Sequence, residues 1–232
     1  MVLKGPDRVV KAWELASSGY AAVWATENTR EALWDAMKRK EVYATTGSRM
    51  TVRFFGGWNY TSDDVLAGDY VRIGYAKGVP MGAVLAVKDD DAPSFMVVAV
   101  KDAIGANLDR VQIVKGWVDN SGKAQEKIFN VVWAGDRQLD KNGKLIAIEN
   151  TVDVKNASWS NSIGAEQLAA VWSDPGFNSA NPAFYYVRVL EIPTPRWTAY
   201  DQKRYGSKMP KEVPMTTQER AYTSPIWYQV TQ

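Results

Sequence analysis

Along the first fifty residues, apolar side chains recur at three- and four-residue intervals, first at Val9, Val10, Trp13 and Ala16 and then at Ala32, Leu33, Ala36 and Met37. This spacing predicts two helices. Pro6-Asp7 offers the first a start and Gly19 a stop. Asn28 or Thr29 caps the second, Glu31 stands three residues after Asn28 as a capping box requires, and Lys38, Arg39 and Lys40 fall where positive charge complements the helix dipole. From Val42 onward the interval drops to two, in short β-branched and aromatic runs. The expected strands are 50–55, 70–75, 95–100, 110–115, 127–133, 151–154, 168–172, 185–191 and 226–230. Gly56-Gly57, Asp89-Asp90-Asp91, Asp119-Asn120-Ser121-Gly122, Lys141-Asn142-Gly143 and Asp174-Pro175-Gly176 separate them as turns. Many short strands without long helices between them predict a mainly β chain with a small α part: an antiparallel β-sandwich preceded by two helices. The division expected is a helical segment at 1–48 and a β-sandwich domain at 49–232.

Composition then limits the chemistry. The 232 residues include no His and no Cys. Within this chain that removes imidazole bases, Ser-His-Asp and Cys-His nucleophiles, His-ligated zinc, disulfides and iron–sulfur clusters. The balance of 28 Lys and Arg against 26 Asp and Glu gives a net charge of +2, far from the basic excess of a nucleic-acid or anionic-membrane binder. No apolar run approaches the roughly 20 residues of a membrane-spanning helix. The opening Met1-Val2-Leu3-Lys4-Gly5-Pro6-Asp7 lacks the apolar core of a secretory signal. No partner among nucleic acids or membranes is expected, and the compartment is left open.

No Walker A sequence and no Gly-x-Gly-x-x-Gly follows a strand. Asp63-Asp64, Asp89-Asp90-Asp91 and the Asp136, Asp140, Asn142 loop lack the spacing of a calcium loop and read as polar turns. Lys77 and Lys115 would be candidate reactive amines only if buried. The strongest hint lies in loop aromatics: Trp58 and Tyr60 beside Gly56-Gly57, and Trp197 and Tyr200 beside Arg196. Trp58, Tyr60, Arg196, Trp197 and Tyr200 are therefore the candidate ligand-binding residues, suited to stacking on carbohydrate, while packing in a core or an interface accounts for the same residue types. The segment from Ile192 to Pro214, with four prolines, reads as irregular.

Longer strings carry a family resemblance. The run Ser18-Gly19-Tyr20-Ala21-Ala22-Val23-Trp24-Ala25-Thr26-Glu27-Asn28-Thr29-Arg30-Glu31-Ala32-Leu33-Trp34-Asp35-Ala36-Met37-Lys38-Arg39, followed by Val42-Tyr43-Ala44-Thr45-Thr46-Gly47, resembles the end of a PHP domain, the polymerase and histidinol phosphatase type of metallohydrolase barrel. Asp109-Arg110-Val111-Gln112-Ile113-Val114-Lys115-Gly116, Phe184-Tyr185-Tyr186-Val187-Arg188-Val189 and Arg220-Ala221-Tyr222-Thr223-Ser224-Pro225-Ile226-Trp227-Tyr228 resemble the β-sandwich that trails such barrels. Leu190-Glu191-Ile192-Pro193-Thr194-Pro195-Arg196-Trp197-Thr198-Ala199-Tyr200-Asp201 is similar to a bacterial group, the domain-of-unknown-function 3604 family. The resemblance implies that this stretch is a carboxy-terminal, non-catalytic portion of a metal-dependent, phosphoesterase-like hydrolase, buttressing the barrel and lending a loop to its rim. It places the His and Asp metal ligands on earlier barrel strands, so a divalent metal is expected there, no cofactor is expected in this chain, and no residue of it is assigned as catalytic or metal-binding. The implied partner is that barrel, or a second copy through the helical face. The alternative function is a carbohydrate-binding or self-associating β-sandwich module.

Overall fold

The computed structural model describes residues 2–4, 9–15, 18–86, 91–119 and 121–229. In chain order the elements are β1 (Val2–Lys4), β2 (Val9–Lys11), a 3-10 turn (Ala12–Glu14), β3 (Tyr20–Val23), α1 (Arg30–Lys38), β4 (Val42–Thr45), β5 (Thr51–Gly57), α2 (Ser62–Leu66), α3 (Tyr70–Lys77), β6 (Gly78–Pro80), β7 (Val84–Leu85) and β8 (Ser94–Val100). They continue with β9 (Leu108–Val118), β10 (Ala124–Trp133), β11 (Gln167–Ser173), β12 (Ala183–Glu191), β13 (Thr194–Pro195), α4 (Trp197–Tyr205), β14 (Thr216–Thr217), β15 (Arg220–Thr223) and β16 (Ile226–Tyr228). Strand residues outnumber helical ones by 39% to 16%, so the chain is mainly β with antiparallel sheets and no closed barrel.

Two sheets face each other. The larger runs β10-β9-β12-β15-β4-β3, with β16 and β7 continuing beside β12; the smaller runs β11-β8-β5-β6. Their facing sides bury Phe54, Phe95, Val97, Val111, Ile113, Tyr185, Val187, Val189, Ile226 and Tyr228 in one core. The far side of the small sheet is roofed by α2 and α3, where Phe55, Met96 and Val98 pack with Val65, Tyr60, Tyr70 and Val71. The small sheet is thus buried on both sides, and the large one on a single side. Sequence pattern follows from this placement. β8 reads as an unbroken apolar run because both its faces are covered, whereas β12 alternates buried and half-buried residues through its length.

Several expected elements differ. In place of the first helix, Val9–Lys11 forms β2 and pairs with β1 (Leu3 opposite Val10), followed by a single 3-10 turn. The β-branched pair Val9-Val10 suits a strand, and a helix of that length is marginal without a packed face. Pro6-Asp7 and Ala16, on which that helix rested, lie outside the described residues, as do Asp89-Asp90, Asn120 and Val230. The second helix forms as α1, but Thr29 rather than Asn28 caps it, accepting from the Ala32 amide at 3.3 Å. That sets Glu31 one residue early for a capping box. Residues expected as the strand 70–75 form α3. Tyr70, Val71 and Gly74 share a helical face against the small sheet, and Gly74 is needed there because a Cβ would come within 2.7 Å of the Phe55 ring. Short apolar runs do not distinguish strand from helix by period alone. Residues 151–154 form no strand, only a bridge between Asp153 and Ser158, since side chains capture the backbone: Asn150 Oδ1 accepts from Val152 N and Asp153 Oδ1 from Asn156 N. The expected irregular segment after Ile192 contains β13 and α4. β3 and β4, from the first fifty residues, are strands of the large sheet. Among the described residues no helix is long and apolar enough to cross a membrane.

Candidate functional site

Where β12 ends, the chain turns through β13 into α4, and β13 is held by β14 in a two-stranded ladder with Thr194 opposite Thr217. Arg196 is the residue at this corner. Its amide donates to Met215 O at 2.9 Å, and it occupies the N-cap of α4. Its Nη2 donates to Trp13 O at 2.7 Å and Leu15 O at 3.1 Å, fastening the amino-terminal segment. The guanidinium carbon sits 5.1 Å from the centre of the Trp197 ring, and Nη1 is buried with no hydrogen-bond partner. Thr198 Oγ1 donates to Pro214 O at 2.5 Å and closes the corner.

A polar hollow of about 220 Å³ opens here, lined by Thr46, Pro195, Arg196, Trp197, Thr217, Gln218, Glu219 and Arg220. Thr46 Oγ1 donates to the Glu219 carboxylate and accepts from the Arg220 amide at 2.9 Å. Behind the wall lies Glu191, only 2% exposed, whose Oε1 has no partner. Its amide donates to Glu219 O at 3.0 Å, and Gln218 Nε2 donates to its carbonyl at 2.9 Å. Burial pushes the Glu191 carboxyl up to about 7; the Glu219 and Asp102 carboxylates add to the rise while the Ser48 hydroxyl and Lys101 oppose it. Deeper still, Asp109 is fully buried between Arg110 Nε at 2.9 Å and Arg137 Nη2 at 2.6 Å. The arrangement offers a small polar molecule opposite charges, from Arg196 and Arg220 against Glu219, and a hydroxyl from Thr46, with the Glu191 carboxyl behind the wall rather than in it.

The five candidate residues fall into separate surroundings. Arg196 and Trp197 line the hollow. Tyr200 is exposed on α4 beside Asp201, Lys203 and Arg204. Trp58 packs edge-on against Phe177 and Tyr228. Tyr60 is 6% exposed, and its hydroxyl donates to Gly74 O at 2.5 Å, so its ring offers no stacking face to solvent. Lys115 is buried but serves as an anchor, donating to Asp174 Oδ2 at 2.5 Å and Gly176 O at 2.9 Å. Lys77 pairs with Asp64 in the first turn of α2 at 2.7 Å. Asp140 Oδ1 accepts from Asn142 N and Lys144 N, as a polar turn does. Among the described residues no group of three or more His, Cys, Asp or Glu is placed to hold a metal ion.

Sequence reasoning missed Thr46, Gln218, Glu219 and Glu191. For Glu191 a signal existed: it continues the inward series Tyr185, Val187, Val189, and a carboxylate at an inward strand position is unusual. Thr46 and Glu219 are 173 residues apart, and only the pairing of β15 with β4 makes them neighbours.

No curated protein and no solved structure matched the chain. The family described as "Protein of unknown function (DUF3604)" matches residues 3–230. With that match running over nearly the whole length, the chain belongs to the DUF3604 family.

Proposed function

We propose that this chain is the non-catalytic β-sandwich portion of a PHP-type metal-dependent hydrolase, docked on the catalytic barrel through α1 and presenting the Arg196–Trp197 hollow at the rim. The observation that carries the reading is the split face of α1. Ala32 and Ala36 are buried, yet Trp34 is 64% exposed and Met37 50% exposed, and with Leu33 they line an open apolar hollow bordered by Arg30. An indole and a thioether held side by side in water on a rigid helix are the mark of a contact surface. Arg30 at its border calls for a carboxylate on the partner surface. The resemblance of residues 18–47 to the end of a PHP domain supports such a barrel as the partner, and the sequence, which holds no His, would leave imidazole ligands to be supplied from it.

The test mixes the purified chain with a PHP-type barrel taken from a protein that carries both parts. Association is expected, to be abolished by Trp34→Glu and Met37→Glu with the circular dichroism spectrum unchanged, because both side chains face solvent. Failure to associate sinks the docking role, and metal-dependent phosphoester turnover by the chain alone, contaminants excluded, sinks the non-catalytic one. A dimer of the chain dissolved by the same substitutions would assign the face to self-association instead.

A further inference from the structure

The large sheet has a second surface that the proposed docking does not use. On its outer side Val84, Trp227, Phe184, Gly116 and Glu126 stand in one row across β7, β16, β12, β9 and β10. Gly116 makes room for the ring beside it: any Cβ at that position would run into Phe184, so the ring lies across the strand instead of standing off it. Tyr186, the next outward residue on β12, has its ring centre 6.4 Å from that of Phe184 with the two planes only 14° apart. The Trp227 indole, 38% exposed, lies 5.3 Å from Phe184 on the other side. Three aromatic rings thus follow one another beside a groove of about 600 Å³, along which Glu126 and Gln229 supply a carboxylate and an amide.

We propose that this face binds a neutral oligosaccharide chain, with Phe184, Tyr186 and Trp227 as the stacking rings and Glu126 and Gln229 as hydroxyl-binding groups. A sugar ring has C–H-bearing faces that are apolar and an equator of hydroxyls that is polar. The face matches both: the near-parallel Phe184 and Tyr186 rings and the Trp227 indole, tilted 51° to Phe184, for the sugar faces, and hydrogen-bonding side chains at the edge for the hydroxyls. Charge selects among stacking ligands. Across the rows of Phe184 and Tyr186 the paired strands carry one charge, that of Glu126; Arg188 stands two rows from it with its guanidinium engaged by Gln112 Oε1 at 2.8 Å, and Arg110 and Arg220 lie one row beyond Arg188. A carboxylate beside the rings, with the arginines set off from them, makes no basic groove along the stack, so a single-stranded nucleic acid, which stacks on similar rings but needs one, is disfavoured. The site differs from the loop aromatics Trp58 and Tyr60 and from the face of α1.

Affinity electrophoresis and calorimetry of the full 232-residue chain against soluble β-glucan, xylan, mannan and amylose, with single-stranded DNA and polygalacturonate as polyanion controls, test the proposal. At least one neutral polymer is expected to retard the chain. Trp227→Ala and Tyr186→Ala should each weaken that binding about tenfold, as loss of a stacking ring does. Because Trp227 is exposed and Tyr186 half-buried on the outer face, neither variant should abolish cooperative thermal unfolding, and Trp34→Ala should bind as the parent does. No retardation by any neutral polymer, retardation unchanged in the ring variants, or preference for the polyanions would each overturn the proposal. So would a sedimentation dimer dissolved by Trp227→Ala, which would assign the face to pairing between copies.

Discussion

Glu191 shows how one residue couples the interior to a surface hollow. Its carboxyl carries a value of about 7 against an ordinary 4.5, because burial disfavours the charged form and Glu219 and Asp102 lie close. A raised value means that the folded chain holds the proton more tightly than the unfolded one between about pH 4.5 and 7. Stability from this group is therefore full below 4.5, falls as pH rises toward 7, and stays low above it. Glu191→Gln keeps the shape and removes the titration. Urea unfolding should show the variant more stable than the parent by on the order of 2–3 kcal/mol at pH 8 and nearly equal at pH 4.5; an equal difference at both pH values would refute the assignment. The inward position of Glu191 was legible from the alternation of β12. Its neighbours were not, since Glu219, Asp102 and Ser48 arrive from distant parts of the chain.

At the scale of elements, α1 demonstrates how closely a sequence reads when local forces suffice. Its apolar spacing and basic end are written in nine consecutive residues, and the structure reproduces them. The one open choice, Asn28 or Thr29 as cap, is settled for Thr29, which accepts from Ala32 N. Thr29→Ala should therefore lower stability by about 1 kcal/mol in thermal unfolding, and Asn28→Ala should change it by only a few tenths. The reverse order would move the cap. α3 is the contrary case. Its sequence satisfies a strand pattern as well as a helical one, and what decides is the fit of Gly74 against the Phe55 ring of β5, a tertiary contact that the period within 70–77 does not record. The first expected helix failed for a related reason: Val10 has a strand partner in Leu3, a pairing that periodicity within 9–16 cannot reveal.

For the whole molecule, the joint between the two sheets matters most. Lys115 on β9, in the large sheet, reaches Asp174 just beyond β11, in the small one, and Tyr185 on β12 donates to the same carboxylate at 2.8 Å. Burial, with Asp174 adding, raises the Tyr185 hydroxyl and keeps it protonated as a donor. Lys115→Met would leave Asp174 charged and without its cation in a site of 2% exposure. A loss of about 3–5 kcal/mol in chemical denaturation is expected, and Lys115→Met combined with Asp174→Asn should recover part of it. If the single variant costs less than 1 kcal/mol, the pair does not clasp the sheets. The arrangement leaves two surfaces without a covering layer of their own, the outer stripe of α1 and the aromatic end of the large sheet, and these are where binding is proposed.

The sequence by itself determined the mainly β class, the longer strands β5, β8, β9, β10, β11 and β12, the second helix and the chemistry that lacks imidazole and thiol. Each follows from composition or from periodicity over a few residues, where backbone geometry alone imposes the signal. It also placed Arg196 and Trp197 among the residues worth watching. Only the tertiary structure decided that these two share a hollow with Thr46 and Glu219, that Tyr60 is a buried prop, and that Phe184, Tyr186 and Trp227 form one surface. Strand pairing brings together residues as far apart in the chain as Thr46 and Glu219, and in an antiparallel sandwich the order of strands is fixed by how two sheets share a core.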